Sequence, residues 1–227
     1  MEQKFYKTYK ITSKKFWLNF WEYYKIHLFA VILILAMAVI GIRSCVMRVD
    51  YDVTVYYYGE NPMYSPAVLQ KFIEERAKDL DGDGKVTAHI SNNPLGKADT
   101  NEAAATIYNQ IDANFMAGDP FIFMTDEEFI GRYLNMSKNM SALQPLDEII
   151  QGIDIPEQYL IRNDNTNEVV AIDVTNMPIA ELSGNSPTAK MYVGMKILPT
   201  SEKDNKEYLL LHDQAEDIIR QMLEYKK

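Results

Sequence analysis

Asp79-Leu80-Asp81-Gly82-Asp83-Gly84-Lys85 is the stretch whose residue types and spacing lend themselves most readily to chemistry. Asp79, Asp81, Asp83 and Gly84 match positions 1, 3, 5 and 6 of an EF-hand calcium loop. In such a loop carboxylate oxygens converge on the ion and a glycine makes the sharp turn. Position 12 carries a bidentate carboxylate, and here Ile90 stands in its place. Val86 to Ile90 also alternates like a strand. A glycine-rich turn from helix to strand accounts for the same residues, because Asp and Gly both favour turns. Calcium on Asp79, Asp81 and Asp83 is one expectation and a plain turn the other; no other cofactor is expected.

A second polar group is defined by position. Asn61, Asn92, Asn93, Thr125 and Asp126 lie at the ends of three expected strands, and open α/β sheets bind ligands beyond the carboxyl ends of their strands. Turns also favour Asn and Asp for their own sake, so the group is a candidate ligand site on fold-level analogy alone. Asp126, Glu127 and Glu128 read as the start of a helix, whose positive end suits their charges. His27, His89 and His212 are far apart in the chain and read as packed or solvated residues. No G-x-S-x-G, H-E-x-x-H, P-loop or dinucleotide glycine fingerprint is present. The chain is expected not to be an enzyme.

The elements that would position these residues alternate. Val49–Gly59 is β-branched and aromatic, with Val53, Val55 and Tyr57 alternating with Asp52, Thr54 and Tyr56, a strand. Ser65-Pro66 caps a helix expected over Pro66–Leu80, with Val68, Leu69, Phe72, Ile73, Arg76 and Leu80 near one face. A strand over Val86–Ile90 gives way to a polar loop, Ser91-Asn92-Asn93-Pro94. Then come a helix over Thr100–Met116, a buried strand at Phe121–Met124, and a short helix from Asp126 through Tyr133. Further on, Glu168–Thr175 and Met191–Leu198 read as strands, Lys206–Leu211 as strand or helix start, and Ala215–Tyr225 as an amphipathic helix. The expected class is α/β, one three-layer domain with a mainly parallel sheet.

Ahead of this domain lies Ile26–Ile42, a run without Asp, Glu, Lys or Arg. With its flanks it suits a membrane span of about 20 residues. Lys4, Lys7, Lys10, Lys14, Lys15 and Lys25 precede it, and acidic residues follow from Asp50. The basic side faces the cytoplasm by the positive-inside rule, which leaves the larger domain outside the cell membrane. Phe16, Trp17, Phe20, Trp21, Tyr23 and Tyr24 suit the membrane interface. The long basic lead and the lack of a clean cleavage site favour an uncleaved signal anchor. The expected divisions are a cytoplasmic segment over 1–25, a span over 26–47 and an extracytoplasmic domain over 48–227.

The net charge of the chain is −9, and beyond Arg43 there are 16 basic residues against 30 acidic, or −14. Nucleic acid is excluded as a partner, since phosphate contacts need clustered Lys and Arg. Cys45 is the only cysteine, so the outer domain has no disulfide and no thiolate metal site, as a bacterial envelope permits.

Ala117-Gly118-Asp119-Pro120-Phe121-Ile122-Phe123-Met124-Thr125-Asp126, followed by Ala142-Leu143-Gln144-Pro145-Leu146-Asp147-Glu148, resembles the first lobe of the extracellular solute-binding proteins of bacterial ABC importers. The resemblance covers roughly Tyr51 to Glu148, and Ser201–Tyr225 is similar to the family's late helix. It implies a lobe of periplasmic-binding-protein type. Only about 50 residues separate Glu148 from Glu202, too few for a second lobe with its own core. The expectation is therefore a single lobe, membrane-anchored, that binds a protein partner in the envelope. A small-ligand receptor using the strand ends and a calcium-stabilised envelope module are the alternatives.

Overall fold

The computed structural model of the chain describes residues 14–46, 51–94, 96, 101–116, 122–140, 142–184 and 190–226. The chain divides into two units, Met1–Val49 and Asp50–Lys227.

The first unit is built on helix α1 (Lys14–Val46), in which the aromatic lead and the apolar run form one continuous element. Ile26, Phe29, Leu33, Ile34, Val39 and Ile40 are each more than half exposed, on every side of the helix. Trp21 meets Phe29 edge-on at 6.1 Å. Among the described residues no helix is long and apolar enough to cross a membrane. The apolar run in the sequence continues through Gly41-Ile42.

In the second unit, β1 (Val53–Gly59), α2 (Pro66–Glu74), β2 (Ala88–Pro94), α3 (Asn101–Met116), β3 (Ile122–Thr125) and α4 (Glu127–Met140) alternate as expected. They are followed by β4 (Leu160–Arg162), β5 (Val169–Asp173), α5 (Pro178–Leu182), β6 (Tyr192–Met195) and α6 (Lys206–Glu224). The strands described form one sheet in the order β2-β1-β3-β6-β5-β4. β1 is parallel to both β2 and β3, whereas β6 is antiparallel to β3 and β5, and β4 to β5. The sheet is therefore mixed: parallel in its βαβ half and antiparallel beyond β3, with four of the six strands still pointing one way.

Helices cover both faces. Leu69, Phe72 and Ile73 of α2, Ile179 of α5, and Ile218, Ile219 and Met222 of α6 pack with Val53, Val55, Tyr57, Met124 and Val193 on one face. Ile111 and Phe115 of α3 and Phe129, Ile130 and Tyr133 of α4 pack with Tyr58, Phe123 and Tyr192 on the other. This follows from strand order: β2 and β3 lie on opposite sides of β1, so crossovers of one hand must put α2 and α3 on opposite faces. On the second face Phe123 stacks on Tyr133 at 4.4 Å and lies over Gly194. A Cβ on Gly194 would fall 2.3 Å from the Phe123 ring, so only glycine fits beneath it.

Several boundaries differ from the expectation. Helix α2 stops at Glu74 instead of reaching Leu80. Gln214 of α6 takes over the backbone beyond it, accepting from Lys78 N at 2.8 Å and donating to Lys78 O at 3.0 Å. Asp52 accepts from Leu80 N at 2.6 Å. Val68, expected inside, is 49% exposed. Ser91-Asn92-Asn93-Pro94, expected as a loop, continues β2 and pairs with Tyr56–Gly59; on this outermost strand Pro94 and polar side chains are tolerated. α4 runs on past Tyr133, and the alternation of Lys206–Leu211 belongs to α6, whose Asn205 cap accepts from Glu207 N. The Thr100 cap and Gly118-Asp119-Pro120 lie outside the described residues.

Candidate functional site

β1 is the strand at which the winding reverses, because the chain leaves it for β2 on one side and then returns to β3 on the other. The crevice beyond β1 and β3 is where such sheets hold ligands. The structure brings the strand-end group to that end of the sheet. Asn61 follows β1, Asn92 and Asn93 are in β2, Thr125 ends β3 and Asp126 follows it.

Their hydrogen bonds, however, go largely to the domain's own backbone. Asp126 accepts from Glu60 N at 2.6 Å, which bridges the crevice between β1 and β3. It also caps α4, accepting from Glu128 N at 3.1 Å and Phe129 N at 3.3 Å. Burial raises the Asp126 carboxyl above its ordinary value, against the lowering effect of these three donors. Asn92 holds Met63 at both ends, accepting from its N–H at 3.0 Å and donating to its carbonyl at 2.9 Å. Asn93 donates to the carbonyls of Ser91 at 3.1 Å and Tyr57 at 3.3 Å. Asn61 contributes its backbone carbonyl to the Tyr57 hydroxyl at 3.0 Å.

Two hydroxyls on the second face are different. The Thr125 Oγ1 and Tyr133 OH are buried without a hydrogen-bond partner. Burial, with Tyr58 and Asp126 adding to it, holds the Tyr133 phenol well above its ordinary pKa, so it stays a neutral donor. Thr125 was legible as a strand-end residue, whereas Tyr133 gave no signal beyond its place at the end of the expected short helix. Lys190, ion-paired with Glu127, lies just ahead of Tyr192, which pairs with Thr125 across the sheet.

The acidic loop folds as a chain of turns. Asp79 accepts from Gly82 N at 2.7 Å and Gly84 N at 2.8 Å, Asp81 from Asp83 N at 2.9 Å, and Asp83 from Lys85 N at 2.7 Å. Gly82 and Gly84 have φ of 75° and 84°, a conformation that favours glycine. The Gly84 N–H, ahead of the smaller effects, lowers the Asp79 pKa, while that of Asp81 is raised. Carboxylate oxygens of Asp52, Asp79 and Asp81 lie within 4.8 Å of one another. The third member of this trio is Asp52, ahead of β1, and Asp83 is not part of it. Ile90 pairs with Val55 inside the sheet and offers no ligand atom there.

A pocket of about 670 Å³ opens at the opposite end of the sheet, where β6 ends and β3 begins. It is lined by Phe115, Gln144, Lys196, Leu198, Leu209 and His212, among others. His212 is indeed packed, at 8% exposure, and its Nε2 has no partner. The loops that form this pocket are far apart in sequence, and nothing in the motifs signals it.

No known protein family, curated protein or solved structure matches this chain.

Proposed function

We propose that this chain is a single-pass, membrane-anchored binding protein of a cell envelope, resembling one lobe of an ABC importer's solute-binding protein and engaging a protein partner. The observation that carries this reading is α1. A helix with large apolar side chains exposed on every side over Ile26–Ile40 requires lipid or protein around it. Carried on by Gly41-Ile42 and flanked by Lys14, Lys15 and Lys25 on one side, it suits a single span with the N-terminus in the cytoplasm.

The choice of a protein partner rests on the switch-point crevice. Asp126 and Asn92 spend their hydrogen bonds on Glu60, Met63 and the start of α4, which leaves a finished surface there. Tyr64, the residue after Met63, is 67% exposed, and tyrosines are favoured at interfaces. The second reading, a small-ligand receptor, draws on the unpartnered hydroxyls of Thr125 and Tyr133.

The test uses the full chain in its own membranes. It should resist alkaline carbonate extraction, expose the domain to protease from outside only, and lose membrane retention when Ile34→Lys puts a charge at mid-helix, at a cost of about 3 kcal/mol. A photo-crosslinker at Tyr64 should give one discrete, saturable protein adduct. Release by carbonate refutes the anchor. Absence of any adduct, together with a melting shift from a small compound that Thr125→Val removes, transfers the function to the second reading.

A further inference from the structure

The first unit carries a surface that a plain anchor does not require. Lys14, Trp17, Trp21, Lys25 and Leu28 of α1 follow one another by three or four residues, the spacing that sets side chains along one side of a helix. Lys14 and Lys25 are exposed, and Trp17 and Trp21 are each more than half exposed. Two indoles between two ammonium groups suit neither water nor hydrocarbon alone; such side chains settle where the two meet.

Their depth follows from helix geometry. The apolar run Ile26–Ile42 is centred on Ile34. At 1.5 Å per residue in an upright helix, Lys25 lies about 14 Å from that centre, Trp21 about 20 Å and Trp17 about 26 Å. The headgroup layer of a bilayer occupies about 15–22 Å from the midplane. Trp21 therefore stands among the headgroups, and any tilt draws Trp17 toward them. Lys25 stands at the inner edge of the layer. Helical side chains lean toward the N-terminus, which carries its ammonium outward to the phosphates.

Charge selects the lipid. Lys4, Lys7, Lys10, Lys14, Lys15 and Lys25 precede the run against only Glu2 and Glu22. Clusters of about 4–8 basic residues on the cytoplasmic side of a span hold anionic lipid. A zwitterionic headgroup has no net charge to answer them. We propose that this side of α1 is a recognition surface for anionic phospholipid of the cytoplasmic leaflet. Lys25 and Lys14 meet the phosphates, and Trp21 and Trp17 lie among the headgroups between them. This selection presupposes the span proposed above and adds which lipid surrounds it.

Trp17 and Trp21 are the only tryptophans of the chain, so its own fluorescence reports on this surface. The experiment places the full chain in nanodiscs of equal phosphatidylglycerol and phosphatidylcholine, with bromine on the acyl chains of one lipid or the other as a quencher. At low salt brominated phosphatidylglycerol should be favoured about fivefold or more at the indoles, the effect of about one lysine at an anionic surface. Salt at about 1 M should lower that ratio, because charges are then screened beyond about 3 Å. Lys14→Gln combined with Lys25→Gln should bring it to within about twofold of unity. Glu22→Gln should raise it, and Arg43→Gln, at the other end of α1, should leave it unchanged. Equal quenching by the two lipids in the wild type, or an unchanged ratio in the double variant, overturns the proposal and leaves the anchor standing. Quenching by neither lipid removes the anchor and the proposal with it.

Discussion

Replacing Asp126 by alanine tests whether the strand-end group is structural. Two losses combine. The α4 cap, made to Glu128 N and Phe129 N, is worth about 1 kcal/mol by comparison with other N-cap deletions. The Glu60 N–H, which donates at 2.6 Å, loses a charged acceptor in a half-buried crevice, at about 1–3 kcal/mol. The sum is about 2–4 kcal/mol, since the cap bonds and the Glu60 bond use different oxygens of one carboxylate. In a domain of this size that lowers the melting temperature by about 5–15 °C. Asp126→Asn keeps one carbonyl acceptor and should fall roughly midway. The assay is a thermal melt of the full chain by circular dichroism, with urea unfolding for the free energy. Asp126→Ala melting within about 2 °C of the wild type would refute the reasoning, and the carboxylate would then be free for a ligand.

Two further outcomes are expected. Calcium should raise the melting temperature of the chain, and Asp81→Ala should abolish the rise, because the Asp52, Asp79 and Asp81 oxygens converge; melts that ignore both calcium and chelator in both proteins remove the metal. Burial lowers the His212 pKa below 6.5, with Asp213 opposing it, so between that lowered value and 6.5 the unfolded chain binds more protons than the folded one. Stability from this group is therefore complete above pH 6.5 and lost as pH falls through the folded value. Burial, with Asp213, Glu148 and Asp217 adding to it, raises Glu216 above 4.5, and its contribution is lost as pH rises through the raised value. His212→Gln should flatten the rise near pH 6.5 in urea titrations and leave the Glu216 limb; an unchanged profile would contradict the assignment.

What the sequence makes legible is what local pattern controls. Val53, Val55 and Tyr57 alternate in a strand as read and are buried, and Leu69, Phe72, Ile73, Ile218 and Ile219 lie on the faces their spacing predicts. β3 is a run buried on both faces, Ile122 to Thr125. What local pattern cannot show is capture by distant residues. α2 ends early because Gln214, far along the chain, binds Lys78 at both its N–H and its carbonyl. β2 extends through polar residues because β1 offers it a full register. β4 and α5 are too short for a periodic signal. The antiparallel half of the sheet likewise depends on where β6 inserts, between β3 and β5. In the candidate sites, Asp126 is readable as a helix start, but its bond to Glu60 is a tertiary event. The partnership of His212 with Gln144 and Lys196 around one pocket needs the fold to exist first.

The place of β1 has a mechanical consequence. It is the first strand after the boundary between the two units, and it is held by parallel neighbours on both sides, β2 along its whole length and β3 over Val55–Tyr58. Just ahead of it, Asp52 is fastened to Leu80 and Thr87 through its carboxylate, and its carbonyl accepts from Gln214. Tension arriving through the N-terminus pulls along β1 and must shear both ladders together instead of unzipping them one bond at a time. A pull along the axis of this strand is met by both ladders at once.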